Sequence, residues 1–398
     1  MAKLKLSREQ NLLIVFSSLR NITDWFLGTF LVSFIMHLSI NEITSVSVYK
    51  MFEYVATCAG FFVFARWCKR YNKVTVFTLN LIPKILLLGA IIILQDRVAD
   101  YLIPLGLLCG IGAAMYHLPM NSMVGEKVPT KLMGQYIGRK NAVIYATKVI
   151  APVVLGFFID TGSYTEMAYA LLALTLIELG LTFGLTPSRH RNTQPVDFAG
   201  FARCMMRFPI IRKLFLMEIL RGFGIGLLGT VITMYTVYMF QTDFKLGIFT
   251  TIFSGFSIVT SWVFGRYGRR KYYPYILGFG AVMVLTIMAA FVTHTTPITF
   301  LLYNMTYATA IVVMDQIATV NTFNLSRSKC VTKNHKIEYF VLRDFALFIG
   351  RWIGFTGLMY IGVFGGYAWL RWYLIAITGA ILLSAQVSSY LSKNIHSR

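Results

Sequence analysis

Apolar residues run through this chain in long blocks, each ended by a few polar or charged positions. The blocks fall at 12–38, 45–65, 74–95, 99–121, 137–159, 164–186, 214–240, 245–265, 272–293, 297–322, 337–362 and 367–391. Most are apolar on every side of a helix rather than along one stripe, the pattern of a segment that meets lipid instead of water. At about 1.5 Å rise per residue, about 20 residues cross the hydrocarbon layer. The blocks therefore predict twelve transmembrane helices. Helix is the required conformation because backbone amides in lipid must be satisfied within their own segment. The alternation over roughly ten residues that marks a membrane β-barrel is missing. The start, MAKLKLSREQ before an apolar run, imitates a signal peptide, but that run is long, contains Arg20 and Asp24 and has no A-x-A site. It is read as a retained first helix.

Composition agrees. Of 398 residues, 57% are hydrophobic and 13% charged, with a mean hydropathy of +0.65, where soluble domains carry about 25% charged residues. The five cysteines are scattered with no C-x-x-C pair, which argues against a disulfide framework and a zinc site. No metal or cofactor is expected. No G-x-x-x-x-G-K-[ST], H-E-x-x-H or G-x-S-x-G run occurs, so neither an ATP-driven pump nor a membrane enzyme has a motif to stand on.

The formal net charge of +21 would suggest nucleic acid in a soluble protein. Its placement gives another meaning. With the N-terminus cytoplasmic, and residues near a block's end counted with the side they adjoin, 27 of the 37 Lys and Arg fall on the cytoplasmic side, four on the other and six deep within spans. That bias is the positive-inside rule. It puts both termini in the cytoplasm and the multi-pass chain in the cytoplasmic membrane, with membrane lipids and a small solute as partners and no nucleic acid. A monomer is the favoured state.

The halves repeat. Val63-Phe64-Ala65-Arg66-Trp67-Cys68-Lys69-Arg70 aligns with Val263-Phe264-Gly265-Arg266-Tyr267-Gly268-Arg269-Arg270. Leu19-Arg20 and Leu27-Gly28-Thr29 align with Leu220-Arg221 and Leu228-Gly229-Thr230. Tyr136, Lys140 and Lys148 align with Tyr339, Arg343 and Arg351. Three matches in near-constant register argue for a duplicated six-helix unit: one bundle at 1–186, a cytoplasmic linker at 187–213 and a second bundle at 214–398.

On these residues the chain resembles the major facilitator superfamily, over its whole length. The superfamily signature G-x-x-x-D-R-x-G-R-[RK] between helices 2 and 3 is matched at Arg66, Lys69 and Arg70, and its echo between helices 8 and 9 at Arg266, Gly268, Arg269 and Arg270. The acidic latch position is Ala65 in one copy and Gly265 in the other, and the first glycine is Phe61 and Ser261. The resemblance implies an all-α integral membrane fold of two pseudo-symmetric six-helix bundles. It also implies a cavity lined by helices 1, 4, 7 and 10, and a cytoplasmic gate at the basic loops.

Ionisable groups inside spans are expensive and so face water, a cavity or a partner. Arg20 and Asp24 (i,i+4) and Glu218 and Arg221 (i,i+3) each share one helical face, in the first helix of each half. With His117 and Asp315 they would line the cavity the resemblance implies, and Trp25 beside Asp24 is a candidate solute contact. Three uses compete. The pairs are structural; or Asp24, Glu218 and Asp315 carry protons, burial and the neighbouring arginines setting their affinity; or Arg20 and Arg221 together hold an anion through their forked geometry. Lys148, Asp344 and Arg351 are expected near the interface of the halves. Lys84 and Glu178, both mid-span, are expected to pair.

The function expected is secondary transport by alternating access, as proton-coupled export of an amphipathic small molecule. The alternatives are an exchanger or flippase for an organic anion or lipid headgroup, and, in another class, a membrane enzyme or a non-transporting receptor.

Overall fold

A computed structural model describes residues 6–70, 73–128, 130–186, 196–267, 270–325 and 336–394. Every regular element among them is helical. The apolar blocks become α1 (Arg8–Trp25), α2 (Leu31–Leu38), α3 (Glu42–Arg70), α4 (Lys73–Leu79), α5 (Leu81–Leu94), α6 (Leu102–Lys127), α7 (Thr130–Thr161) and α8 (Tyr164–Thr182). A short α9 (Phe198–Met206) precedes α10 (Pro209–Phe240), α11 (Asp243–Tyr267), α12 (Tyr273–Thr293), α13 (Pro297–Thr306), α14 (Val312–Leu325), α15 (Lys336–Phe364) and α16 (Gly366–Asn394). Among the described residues, nine helical stretches are long and apolar enough to cross a membrane, and one of them, Lys73–Met120, covers two of the expected segments.

The chain divides into two compact units, Met1–Val196 with Phe240–Thr251, and Asp197–Met239 with Ile252–Arg398. The first is centred on Leu13, Phe16, Phe77, Tyr116, Met123 and Tyr136. Its α1 begins at a capping box, Ser7 accepting from the Gln10 amide at 3.2 Å while the Gln10 side chain accepts from the Ser7 amide at 3.0 Å. Helices α1 and α2 are joined in line by a π-helical turn, Phe26–Phe30, and α13 and α14 by another, Tyr307–Ile311. The amide of Leu31 reaches the Phe26 carbonyl and that of Val312 the Tyr307 carbonyl, one residue further than an α-helix allows.

The second unit is centred on Met205, Leu214, Met217, Tyr339, Leu342 and Leu391. Phe201 and Met205 of α9 pack into this core, so the segment ahead of α10 is in part folded onto the second unit. Helices α10 and α15 approach at Gly222 and Gly350: a Cβ on Gly222 would collide with the Leu347 carbonyl, and one on Gly350 with that of Ile219. Glycine is required there because only hydrogen leaves room for backbone against backbone.

Candidate functional site

In the first unit, Arg20 is buried in α1 at 5% exposure, with its Nε 2.7 Å from Asp24, whose side chain is 42% exposed. The i,i+4 spacing brings the two onto one face, as the sequence predicts. The guanidinium lies over the Tyr116 ring of α6, 5.0 Å from its centroid, a cation–π contact in a site with little water. The exposed His117 stands edge-on to Tyr116 at 5.1 Å. Trp25 is half-buried beside Asp24, and Lys148 is half-buried in α7. Lys84 of α5 and Glu178 of α8 meet at 2.5 Å, each 1% exposed, the pairing expected from their mid-span positions.

The second unit holds a larger cluster. Arg221 of α10 lies 3.2 Å from Glu218, one turn back, and its Nε donates to Asp315 of α14 at 2.6 Å. Its remaining nitrogen donates to Thr319 at 2.8 Å. Glu218 is wholly buried and accepts from the Thr322 hydroxyl at 2.6 Å. The Tyr339 hydroxyl of α15 donates to the Thr322 carbonyl at 2.9 Å. Arg343 and Asp344 form an ion pair, and the stem of Arg351 packs where a side chain on Gly226 would sit.

The i,i+3 spacing pairs Glu218 with Arg221, and the expected cavity gathers Asp315 with them, but no spacing in the chain pairs Asp315 with Arg221. Sequence reasoning also missed Thr319, Thr322, Tyr339 and Tyr116. A signal was present: Asp315, Thr319 and Thr322 stand at i, i+4 and i+7, on one face of a helix that also carries Gln316, Asn321 and Asn324. A second missed feature is at the start of α11. The Asp160 carboxylate accepts from the backbone amides of Asp243 and Phe244 at 3.1 and 3.0 Å, capping the positive end of that helix. Asp243 in turn accepts from the Tyr164 hydroxyl and has His37 Nε2 at 3.9 Å.

Ahead of the membrane-spanning part of α1, Glu9 accepts from Lys127, from the Thr186 amide at 2.8 Å and from the Thr186 hydroxyl at 2.7 Å. Partial burial pushes its carboxyl up, but these donors and the Lys127 charge outweigh burial and hold it below its ordinary value. Of the basic signature, Arg66 is exposed and Ala65 buried. The side chains of Lys69, Arg70, Arg266, Arg269 and Arg270 lie outside the described residues.

Long apolar helices with ion pairs buried among them are those of a multi-pass membrane protein. The family model for the Major Facilitator Superfamily matches residues 13–336, and the chain belongs to that superfamily. Among solved structures it is similar to a bacterial homologue of the iron transporter ferroportin in its inward-facing state, at 13% identity over 98% of this chain and 100% of that one, with a TM-score of 0.72. It is also similar to a bacterial metal transporter, at 14% identity over 98% and 100%, TM-score 0.61. A third likeness is to a D-xylose–proton symporter, at 12% identity over 97% and 96%, TM-score 0.65. At such identities the likeness is one of fold. No curated protein sequence matches the chain at a significant level.

Proposed function

We propose that the protein couples proton movement to export of an amphipathic small molecule across the cytoplasmic membrane, by alternating access of two bundles, 1–186 and 214–398, joined by 187–213, with both termini cytoplasmic. The observation that supports this reading is one guanidinium shared by two acids, Arg221 standing 2.6 Å from Asp315 and 3.2 Å from Glu218. Two carboxylates beside one arginine leave one negative charge in excess, which a proton can neutralise. Asp315, 34% exposed, is the acid that a proton from water reaches; Glu218, held by Thr322, keeps the guanidinium. Nearby, Asp344 is paired to Arg343, and so leaves Arg221 to its own two acids.

In this reading Arg20, Asp24, Trp25 and His117 form the solute-facing side of the first bundle, and Arg221 and Asp315 that of the second. Arg66, Lys69, Arg70, Arg266, Arg269 and Arg270 act at the cytoplasmic gate, and Lys148, Asp344 and Arg351 at the interface. An anion or headgroup exchanger needs free guanidiniums, and both Arg20 and Arg221 are engaged by their own carboxylates. The cargo named for the metal-transporting relatives is not carried over: among the described residues no three His, Cys, Asp or Glu converge on a metal position.

The test is transport of a fluorescent amphipathic solute into and out of proteoliposomes, with and without a pH gradient. Asp315→Asn and Glu218→Gln are expected to lose the gradient-driven component. Gradient-driven transport that survives in both variants removes the proton-coupling reading.

A further inference from the structure

Four basic residues are expected on the membrane face opposite the termini: Lys50, Arg97, Lys245 and Arg371. The positive-inside rule disfavours each of them there. Lys50 is held by Glu53 at 2.8 Å, and Arg97 and Lys245 are exposed. Arg371, in α16, differs from all three. It is half-buried, and its Nε is buried with no acceptor. Among the described residues no carboxylate pairs with it, whereas Arg20 and Arg221 each hold one. Its guanidinium lies over the Trp372 ring, with Cζ 5.4 Å from the centroid. A cation–π contact supplies no hydrogen-bond acceptor, so the forked N–H donors remain for an oxyanion, whose geometry they suit.

The surroundings of Arg371 fit a lipid. Ala368, Trp369, Arg371 and Trp372 line an open hollow of about 480 Å³. Both indoles are exposed, Trp369 at 63% and Trp372 at 52%. Exposed tryptophan near the end of a membrane-crossing helix belongs at headgroup level, where one side of the ring meets hydrocarbon and the N–H meets water. Helix length agrees. The 29 residues of α16 rise about 43 Å at about 1.5 Å each, against about 40–45 Å for a bilayer with its headgroups. Arg371 therefore stands about 8 Å in from the Gly366 end. That is the edge of the hydrocarbon, from which its long side chain reaches the lipid phosphates.

We propose that Arg371 binds the phosphate of an anionic phospholipid in the leaflet opposite the termini, with Trp369 and Trp372 against the lipid's glycerol and upper acyl chain. Charge selects the class of lipid. A guanidinium with no carboxylate partner balances a headgroup of net negative charge. A zwitterionic headgroup brings its own cation, for which Arg371 has no acid to offer. The site uses none of the residues assigned to proton or solute, and so stands or falls independently of the cargo.

The experiment places the purified full-length protein in phosphatidylcholine bilayers and reads tryptophan fluorescence as brominated phosphatidylglycerol or brominated phosphatidylcholine is added. Bromine quenches only an indole beside it. The signal missing from a protein carrying both Trp369→Phe and Trp372→Phe isolates the site. Half-quenching of that signal should need about fivefold less of the brominated phosphatidylglycerol, the factor for one basic residue at an anionic surface. Arg371→Gln should make the two lipids equal, and Arg97→Gln, on the same face, should leave the preference unchanged. The wild-type comparison needs no variant at Arg371 and serves even if Arg371→Gln fails to fold. Equal quenching by the two lipids in wild type, or a preference that Arg371→Gln leaves intact, overturns the proposal. A preference lost equally in Arg97→Gln is a general effect of surface charge and overturns it too. Inorganic phosphate added to phosphatidylcholine bilayers should change nothing; a saturable response would assign the site to free phosphate and remove the lipid.

Discussion

Arg221 Nε lies 2.6 Å from the Asp315 carboxylate and so ties α10 to α14 across 94 positions of sequence. The same guanidinium reaches back to Glu218 on its own helix. One arginine thus joins two helices and stands between two acids. Two hydroxyls complete the cluster: Thr319 accepts from the guanidinium and Thr322 donates to Glu218.

Thr322 should therefore matter beyond its size. Thr322→Val leaves the buried Glu218 oxygen without its donor and is expected to lower stability by about 1–3 kcal/mol, while Thr322→Ser restores it. Thermal unfolding in detergent reads the difference. Equal melting temperatures for the valine variant and the wild type would show that the 2.6 Å contact contributes nothing.

The Lys84–Glu178 pair, each side chain 1% exposed, is expected to behave as a coupled unit. Lys84→Met or Glu178→Gln alone strands a charge in a dry site and should cost about 3–5 kcal/mol. The double change Lys84→Met with Glu178→Leu should recover most of that loss. Additive losses in the double variant would contradict the pairing.

Much of this was legible in the chain itself. The apolar blocks give the helices because lipid imposes one conformation on any segment that crosses it. Lys84 and Glu178 could be matched because two opposite charges deep in the same half have few other places to go. Of the matched arginines, Arg20 is buried and Arg221 half-buried. Asp315 could not be matched to Arg221, since contact between distant helices depends on their rotation and register, which hydropathy does not encode. The π-helical turns at Phe26–Phe30 and Tyr307–Ile311 are invisible for a similar reason: a shift of hydrogen bonding by one residue leaves the apolar count unchanged. Asp160 and Asp243 fall at the ends of apolar blocks, where polar residues are ordinary, and only the coordinates show one capping the helix that begins with the other.

That cap yields its own prediction. Asp160→Ala removes both acceptors from the first amides of α11 and should lower stability by about 0.5–2 kcal/mol. Asp160→Asn, which keeps an acceptor but loses the charge, should lie between alanine and wild type. An alanine variant as stable as the wild type would show that water replaces the carboxylate without loss.

Stability should fall on acidification through Glu9. Its folded-state carboxyl is held below its ordinary value by Lys127 and Thr186 against the opposing effect of burial. A group depressed in the folded state contributes stability above its unfolded pKa of about 4.3. That contribution disappears as pH falls through the lower, folded value. The melting-temperature gap between wild type and Glu9→Gln should thus be full at neutral pH and close in acid. A gap that widens on acidification would reverse the sign and refute the assignment.

In the proposed mechanism the acids around Arg221 bind and release a proton. Infrared difference spectroscopy of the reconstituted protein, titrated from alkaline to acid, observes the protonated carboxyl stretch directly. The account predicts a carboxyl band that appears on acidification, disappears in Asp315→Asn, and shifts or is lost in Glu218→Gln. A titrating band identical in wild type and both variants would place the proton elsewhere and contradict the account.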